Sequence, residues 1–329
     1  MTFARRLTVP PVRRLLVCSC STVFLALTGT TLLAACQDVY TIEDHVNLVL
    51  LDVSVKDPNG GYVTGLEKSN FEVFEDGRPQ IVTEFARADT PVTVGLVVDN
   101  SGSMRLKRPE VVMAGLAFAK ESNPKDEFFV VNFNNHVVRG LPDRVAFTDN
   151  LQLLRSALYY GQPAGQTALY DAIAYALNHL ELSRQDKRTL IVVSDGGDNI
   201  SNTSLPELMR LIDSSRATIY TVGLFDPDDR DRNPRALQKL AKVSGGQFFE
   251  PATLGEVIPV FHKISQDIRN RYSIGYIPED VESKRVVRAL RVTATDKNHR
   301  KLTVRTRTAY TTTPFSELIS RQAQPRSRR

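Results

Sequence analysis

In the stretch VGLVVDNSGSMR, residues 94–105, an apolar run ends on three oxygen-bearing side chains at alternate positions, Asp99, Ser101 and Ser103. The run from Val94 to Val98 has the character of a strand buried on both faces. A cluster of oxygens at the carboxyl end of such a strand points to a site. Two further oxygen donors stand in comparable places. Asp195 closes the apolar run TLIVVSD, and Thr167 lies in GQTALYD, just ahead of a helical pattern. Ligands bind at the carboxyl ends of strands in open α/β sheets, so the three loops are expected to meet at one sheet edge. The converging donors are then two carboxylates and three hydroxyls, with no His and no Cys. An all-oxygen set suits a hard cation, Mg²⁺ with waters retained, with Mn²⁺ or Ca²⁺ as alternatives. Two aspartates balance the two charges of such an ion and leave a coordination position for a ligand carboxylate.

The elements that must position these residues follow from periodicity. From residue 91 to 270, apolar strand patterns (94–99, 127–133, 188–194, 218–224) alternate with helical ones. Leu169, Ile173, Leu177 and Leu180 share one helix face, and Leu205, Leu208, Leu211 and Ile212 repeat the pattern. So do Leu237, Leu240 and Val243, and later Val257, Phe261, Ile264 and Ile268. This alternation predicts an α/β fold, Rossmann-like, with a mostly parallel sheet and helices on both faces. Val137–Arg139 is expected to add a short antiparallel edge strand. The flanks read differently. Residues 45–90 carry strand patterns separated by turns such as Asp57-Pro58-Asn59-Gly60-Gly61 and Asp76-Gly77. Residues 271–312 carry three more strand-like runs, 271–277, 286–295 and 301–309. The seven strands expected from the two flanks suit a single β-sandwich with the α/β domain inserted between its halves. Two separate small β units are the alternative.

Length and charge bound the function. A chain of 329 residues allows about two domains. The formal net charge is +5, but residues 1–35 hold Arg5, Arg6, Arg13 and Arg14 and no acid, so the remainder carries only +1. No nucleic-acid partner is expected from that balance. The first 35 residues read as an export signal, with arginines, then an apolar segment from Leu15 to Leu33, then small residues. The ending Leu33-Ala34-Ala35-Cys36 resembles a bacterial lipobox, which implies that Cys36 is lipidated and anchors the mature chain to a membrane; an uncleaved anchor is the alternative. Either places the globular part outside the cytoplasm, in the cell envelope. The three cysteines, Cys18, Cys20 and Cys36, all fall in this region, so no internal disulfide or catalytic thiol is expected beyond it. The basic end, residues 313–329, is expected to be disordered.

Asp99, Ser101 and Ser103 taken alone read equally well as a turn and helix cap. With Thr167 and Asp195 in place, the set resembles the metal-ion-dependent adhesion site of von Willebrand factor A (VWA) domains, over about residues 91–270. The stretches VTGLEKSNFEVFEDGRPQ and RYSIGYIP make the whole chain similar to VWA-related proteins common in acidobacterial genomes. The resemblance implies metal-dependent binding of a protein ligand through an exposed Asp or Glu of that ligand. It implies a non-enzymatic adhesion or assembly module. A structural envelope scaffold is the alternative, and a metal-dependent hydrolase a weaker one. No His lies in the site loops and no G-x-S-x-G elbow appears. Asp198 and Asn199 are expected to be loop residues, with support of the ligands from behind as the alternative. The acidic run Asp226, Asp228, Asp229 and Asp231 is expected to be a solvated loop, and Tyr272 and Tyr276 to be strand packing.

Overall fold

The computed structural model describes residues 48–87, 89–195, 197–226, 232–279, 286–313, 317, 318 and 320. The export segment with Cys36, the acidic positions 228, 229 and 231, and nearly all of the basic end lie outside the described residues. The described residues start with four strands, β1 (Val49–Lys56), β2 (Phe71–Glu75), β3 (Arg78–Gln80) and β4 (Val82–Ala86). The α/β segment follows: β5 (Val92–Asp99), α1 (Arg108–Glu121), β6 (Glu127–Phe133), β7 (Val137–Arg139), α2 (Leu151–Leu158), α3 (Leu169–Leu180), β8 (Lys187–Ser194), α4 (Leu205–Ser214), β9 (Thr218–Gly223), α5 (Pro234–Ser244), β10 (Phe248–Phe249) and α6 (Val257–Arg269). Four strands close the described chain: β11 (Tyr272–Tyr276), β12 (Val287–Ala294), β13 (Thr303–Arg305) and β14 (Ala309–Thr311). Among the described residues no helix is long and apolar enough to cross a membrane.

The central sheet runs β10-β9-β8-β5-β6-β7, with β5 at its middle and all eight of its residues buried. Pairing is parallel except for β7, which returns antiparallel against β6 as the short edge strand. Both faces are covered, and β6 shows how. Consecutive strand residues point to opposite faces. Phe128 meets Phe118 of α1, and Phe118 in turn meets Phe261 of α6. Phe129, on the other face, packs against His179 of α3. Gly95 is required there, because a Cβ at that position would lie 2.4 Å from the Phe129 ring. Helix α1 has no clear one-sided stripe in the sequence. Its Val111, Val112, Ala114, Gly115 and Phe118 are buried because it is packed by the sheet, by α6 and by α2.

The flanking strands interleave. One antiparallel sheet has the order β13-β1-β11-β4 and the other β14-β12-β2-β3, so each mixes strands from before and after the α/β segment. Their shared core includes Leu51, Val53, Phe71, Val73, Tyr272, Ile274, Tyr276 and Val292. Tyr272 packs its ring 5.1 Å from that of Phe71 and donates its hydroxyl to Val63 O at 2.9 Å. Tyr276 donates to Glu75, which also forms a buried ion pair with Arg288. Among the described residues the flanks hold eight strands rather than seven, because the run 301–309 is divided. β13 pairs with β1, whereas β14 pairs with β12 of the other sheet. At the crossing, Arg307 donates to Ile212 O (3.0 Å) and Asp213 O (3.2 Å) at the end of α4. Gly245, at φ 80°, ends α5 against the same segment, and a Cβ there would sit 2.5 Å from Arg307 N.

Candidate metal centre

β5 and β8 are neighbours with Val98 opposite Val193, so their ends deliver Asp99 and Asp195 side by side. Asp99 is fully buried. Its carboxylate accepts the Ser101 N–H at 2.8 Å and the Ser194 hydroxyl at 2.6 Å. Ser101 and Ser103 hydroxyls lie 3.0 Å apart, and Ser103 donates to Asp195 Oδ1 at 3.0 Å. Asp99, Ser101, Ser103 and Asp195 thus form one hydrogen-bonded chain. Thr167 is buried on the adjoining loop. Its N–H donates to Asn199 Oδ1 (2.9 Å), the Asn199 N–H donates back to Thr167 O (3.1 Å), and Gly102 N–H donates to Gly165 O (3.3 Å). The loops bearing all five expected ligands therefore meet at the carboxyl edge of the sheet.

The donor set fits a hard divalent ion. Burial pushes the Asp99 carboxyl up to about 6 from 3.8; the hydrogen bonds from Ser194 and Ser101 offset part of this, and the charge of Asp195 adds to it. A desolvated carboxylate beside a second one is a place where a cation is strongly favoured. Two carboxylates with three hydroxyls leave room for retained water, as Mg²⁺ requires. Among the described residues no group of three or more His, Cys, Asp or Glu is placed to hold a metal ion.

Some contributors were not legible as such. Ser194 precedes Asp195, and its role follows only from the register that sets it beside Asp99. Asn199 and Asp198, expected to be mere loop residues, brace the Thr167 loop; Asp198 accepts the Tyr170 N–H at 3.1 Å. Lys107 extends its ammonium to within 2.6 Å of Asp195 Oδ2, and nothing in its sequence context marks it for that.

Residues 94–197 match the family model described as von Willebrand factor type A domain. A solved von Willebrand factor type A structure from Catenulispora acidiphila is similar at a TM-score of 0.50 and 13% identity, over 82% of this chain and 75% of that one. An aerotolerance-related membrane protein from Bacteroides fragilis is similar at 0.46 and 17%, over 54% of this chain and 98% of its own. The vWF domain of the type V pili tip protein Mfa5 from Porphyromonas gingivalis gives 0.43 and 16%, over 54% and 95%. No curated protein matches the chain. At these identities the likeness is one of fold.

Proposed function

We propose that this VWA-domain protein is an exported, lipid-anchored binding module that engages an acidic side chain of a protein partner through a Mg²⁺ site. Asp99, Ser101, Ser103, Thr167 and Asp195 would hold the ion. When bound, the ion supplies a Lewis-acidic position for a carboxylate oxygen of the partner. The carrying observation is the convergence of two adjacent buried aspartates and the serine and threonine loops at one sheet edge. Asp99 and Asp195 neutralise the ion. The hydroxyls orient them and supply neutral ligands, which leaves the ion able to accept a further anion.

The surroundings favour a macromolecular partner. Leu106 is 82% exposed at the end of the turn that carries Ser103, Tyr159 and Tyr160 are exposed on the loop after α2, and Ile200 is exposed next to Asn199. The loop after α2 is held to the site by Arg108, which donates to Tyr160 O at 2.9 Å and Gly161 O at 2.6 Å. Aromatic and apolar side chains around a charged centre are what a protein interface buries. Export and anchoring through Cys36 rest on the N-terminal sequence.

The test is calorimetry of Mg²⁺ and Mn²⁺ with the wild type and Asp99→Ala, followed by a Glu-containing peptide and its Gln counterpart with metal and with chelator. Metal binding lost in Asp99→Ala, together with metal-dependent preference for the Glu peptide, is the expected result. Metal binding without any carboxylate preference would favour the structural scaffold instead, and metal-dependent peptide cleavage would favour a hydrolase.

A further inference from the structure

The Lys107 ammonium lies 2.6 Å from Asp195 Oδ2 and 2.8 Å from Leu224 O. Asp195 is 1% exposed, and Lys107 only 16%. Both Asp195 oxygens are therefore engaged, Oδ1 by Ser103 and Oδ2 by Lys107. Lys107 follows directly on the turn Gly102–Leu106, so it belongs to the segment that carries Ser101 and Ser103. Among the described residues, the two arginines that flank this segment are engaged elsewhere. Arg105 reaches Pro163 O (3.4 Å), and Arg108 bonds the carbonyls of Leu158, Tyr160 and Gly161.

Resting on the metal-binding reading above, we infer that Lys107 is a tethered cation of the site, which competes with the divalent ion for Asp195 and drives the loaded site to recruit an anion. The charge balance gives the reason. Two carboxylates and one ammonium leave the ion-free site at −1, so a divalent ion meets less negative charge than two aspartates alone would offer. With the ion bound and Lys107 still close, the site stands at +1, and one incoming carboxylate neutralises it. Without Lys107 the aspartates already balance the ion, and the pull on a third carboxylate weakens. Lys107 thus trades ion affinity for selectivity toward an acidic ligand. A merely structural Lys107–Asp195 ion pair makes the opposite prediction, since removing it would disorder a metal ligand and weaken ion binding.

The test measures free Mn²⁺ by electron paramagnetic resonance in the full protein, as wild type, Lys107→Met, Lys107→Arg and Asp99→Ala. Acetate is then titrated into the Mn²⁺-loaded forms while the relaxation of water protons is followed. Lys107→Met is expected to bind Mn²⁺ about tenfold more tightly and to need several-fold more acetate to displace water. Lys107→Arg is expected to stay near the wild type in both. Should Lys107→Met fail to fold, Lys107→Gln is read by the same criteria. Unchanged or weaker Mn²⁺ binding by the folded Lys107→Met overturns the inference. If binding is nevertheless abolished by Asp99→Ala, the metal-binding reading survives that failure. Absence of Mn²⁺ binding in both the wild type and Lys107→Met overturns both.

Discussion

Asp99 and Asp267 are both aspartates buried to within 1% of full burial, yet their surroundings push them in opposite directions. Burial raises Asp99, and its hydrogen-bond donors are the neutral Ser194 and Ser101. Burial acts against Asp267 as well, but the charges of Arg271 and Arg305, with hydrogen bonds from Tyr220 and Ser54, hold its carboxyl well below the usual carboxylate range. Arg271 Nη2 lies 2.9 Å from Asp267 Oδ2, Arg305 Nη2 2.6 Å, and Ser54 donates to Oδ1 at 2.7 Å. Asp267 lies on α6, and its partners come from the residue before β11, from β9, and from β1 and β13, so Asp267 joins the α/β segment to the flanking sheets. One carboxylate is satisfied by the protein and serves the architecture. The other is left with a deficit of positive charge at a sheet edge where a ligand can supply it. The contrast separates a buried charge that the protein balances from one that it does not.

The comparison can be broken most readily at Asp267. Asp267→Ala leaves Arg271 and Arg305 without their counter-charge and should cost about 3–5 kcal/mol, read from urea unfolding. A loss below about 1 kcal/mol would mean that solvent reaches the network and that Asp267 is no different from a surface pair. Acid sharpens the same point. Because folding depresses the Asp267 pKa, its stabilisation is complete above its unfolded value, about 4, and is lost as pH falls below that. The stability gap between the wild type and Asp267→Asn, followed by urea midpoint against pH, should therefore shrink as pH falls below about 4. A gap that stays constant would remove the ionic explanation.

Asp99 should respond with the opposite sign. In chelator above about pH 7, Asp99→Asn is expected to stabilise the folded chain by about 1–3 kcal/mol, since it removes a charge that folding disfavours. Destabilisation of similar size would show that Asp99 is as well compensated as Asp267. The smallest effect is that of the ion. Mg²⁺ at about ten times its Kd should add about 1.4 kcal/mol to the wild type and nothing to Asp99→Ala, measured by thermal unfolding.

The meeting of the three loops was legible because the five expected ligands stand where strands end or helices begin, and strand ends announce themselves when an apolar run breaks on a polar residue. The α/β alternation, the antiparallel β7 and the strand character of the flanks were legible for the same reason, since burial on one face or two leaves a periodicity. Helix α1 escaped because packing on several sides erases that periodicity, as Val111, Val112, Ala114 and Phe118 show. The division between β13 and β14 escaped because one run of alternating residues serves two sheets, and only the packing of Arg307 on α4 and of Gly245 beneath it decides where the run is cut.

What the sequence alone determined is the kind of chemistry: oxygen donors without imidazole or thiolate, placed at the ends of buried strands, and β segments on either side of an α/β segment. Those depend on residue type and local periodicity, which the chain carries wherever it goes. What tertiary structure decided is which charges are balanced. Lys107 meets Asp195 across 88 positions, and Arg305 meets Asp267 across 38, while Asp99 meets neutral donors only. Electrostatic compensation depends on distance in space and on desolvation, and neither is written in the order of residues.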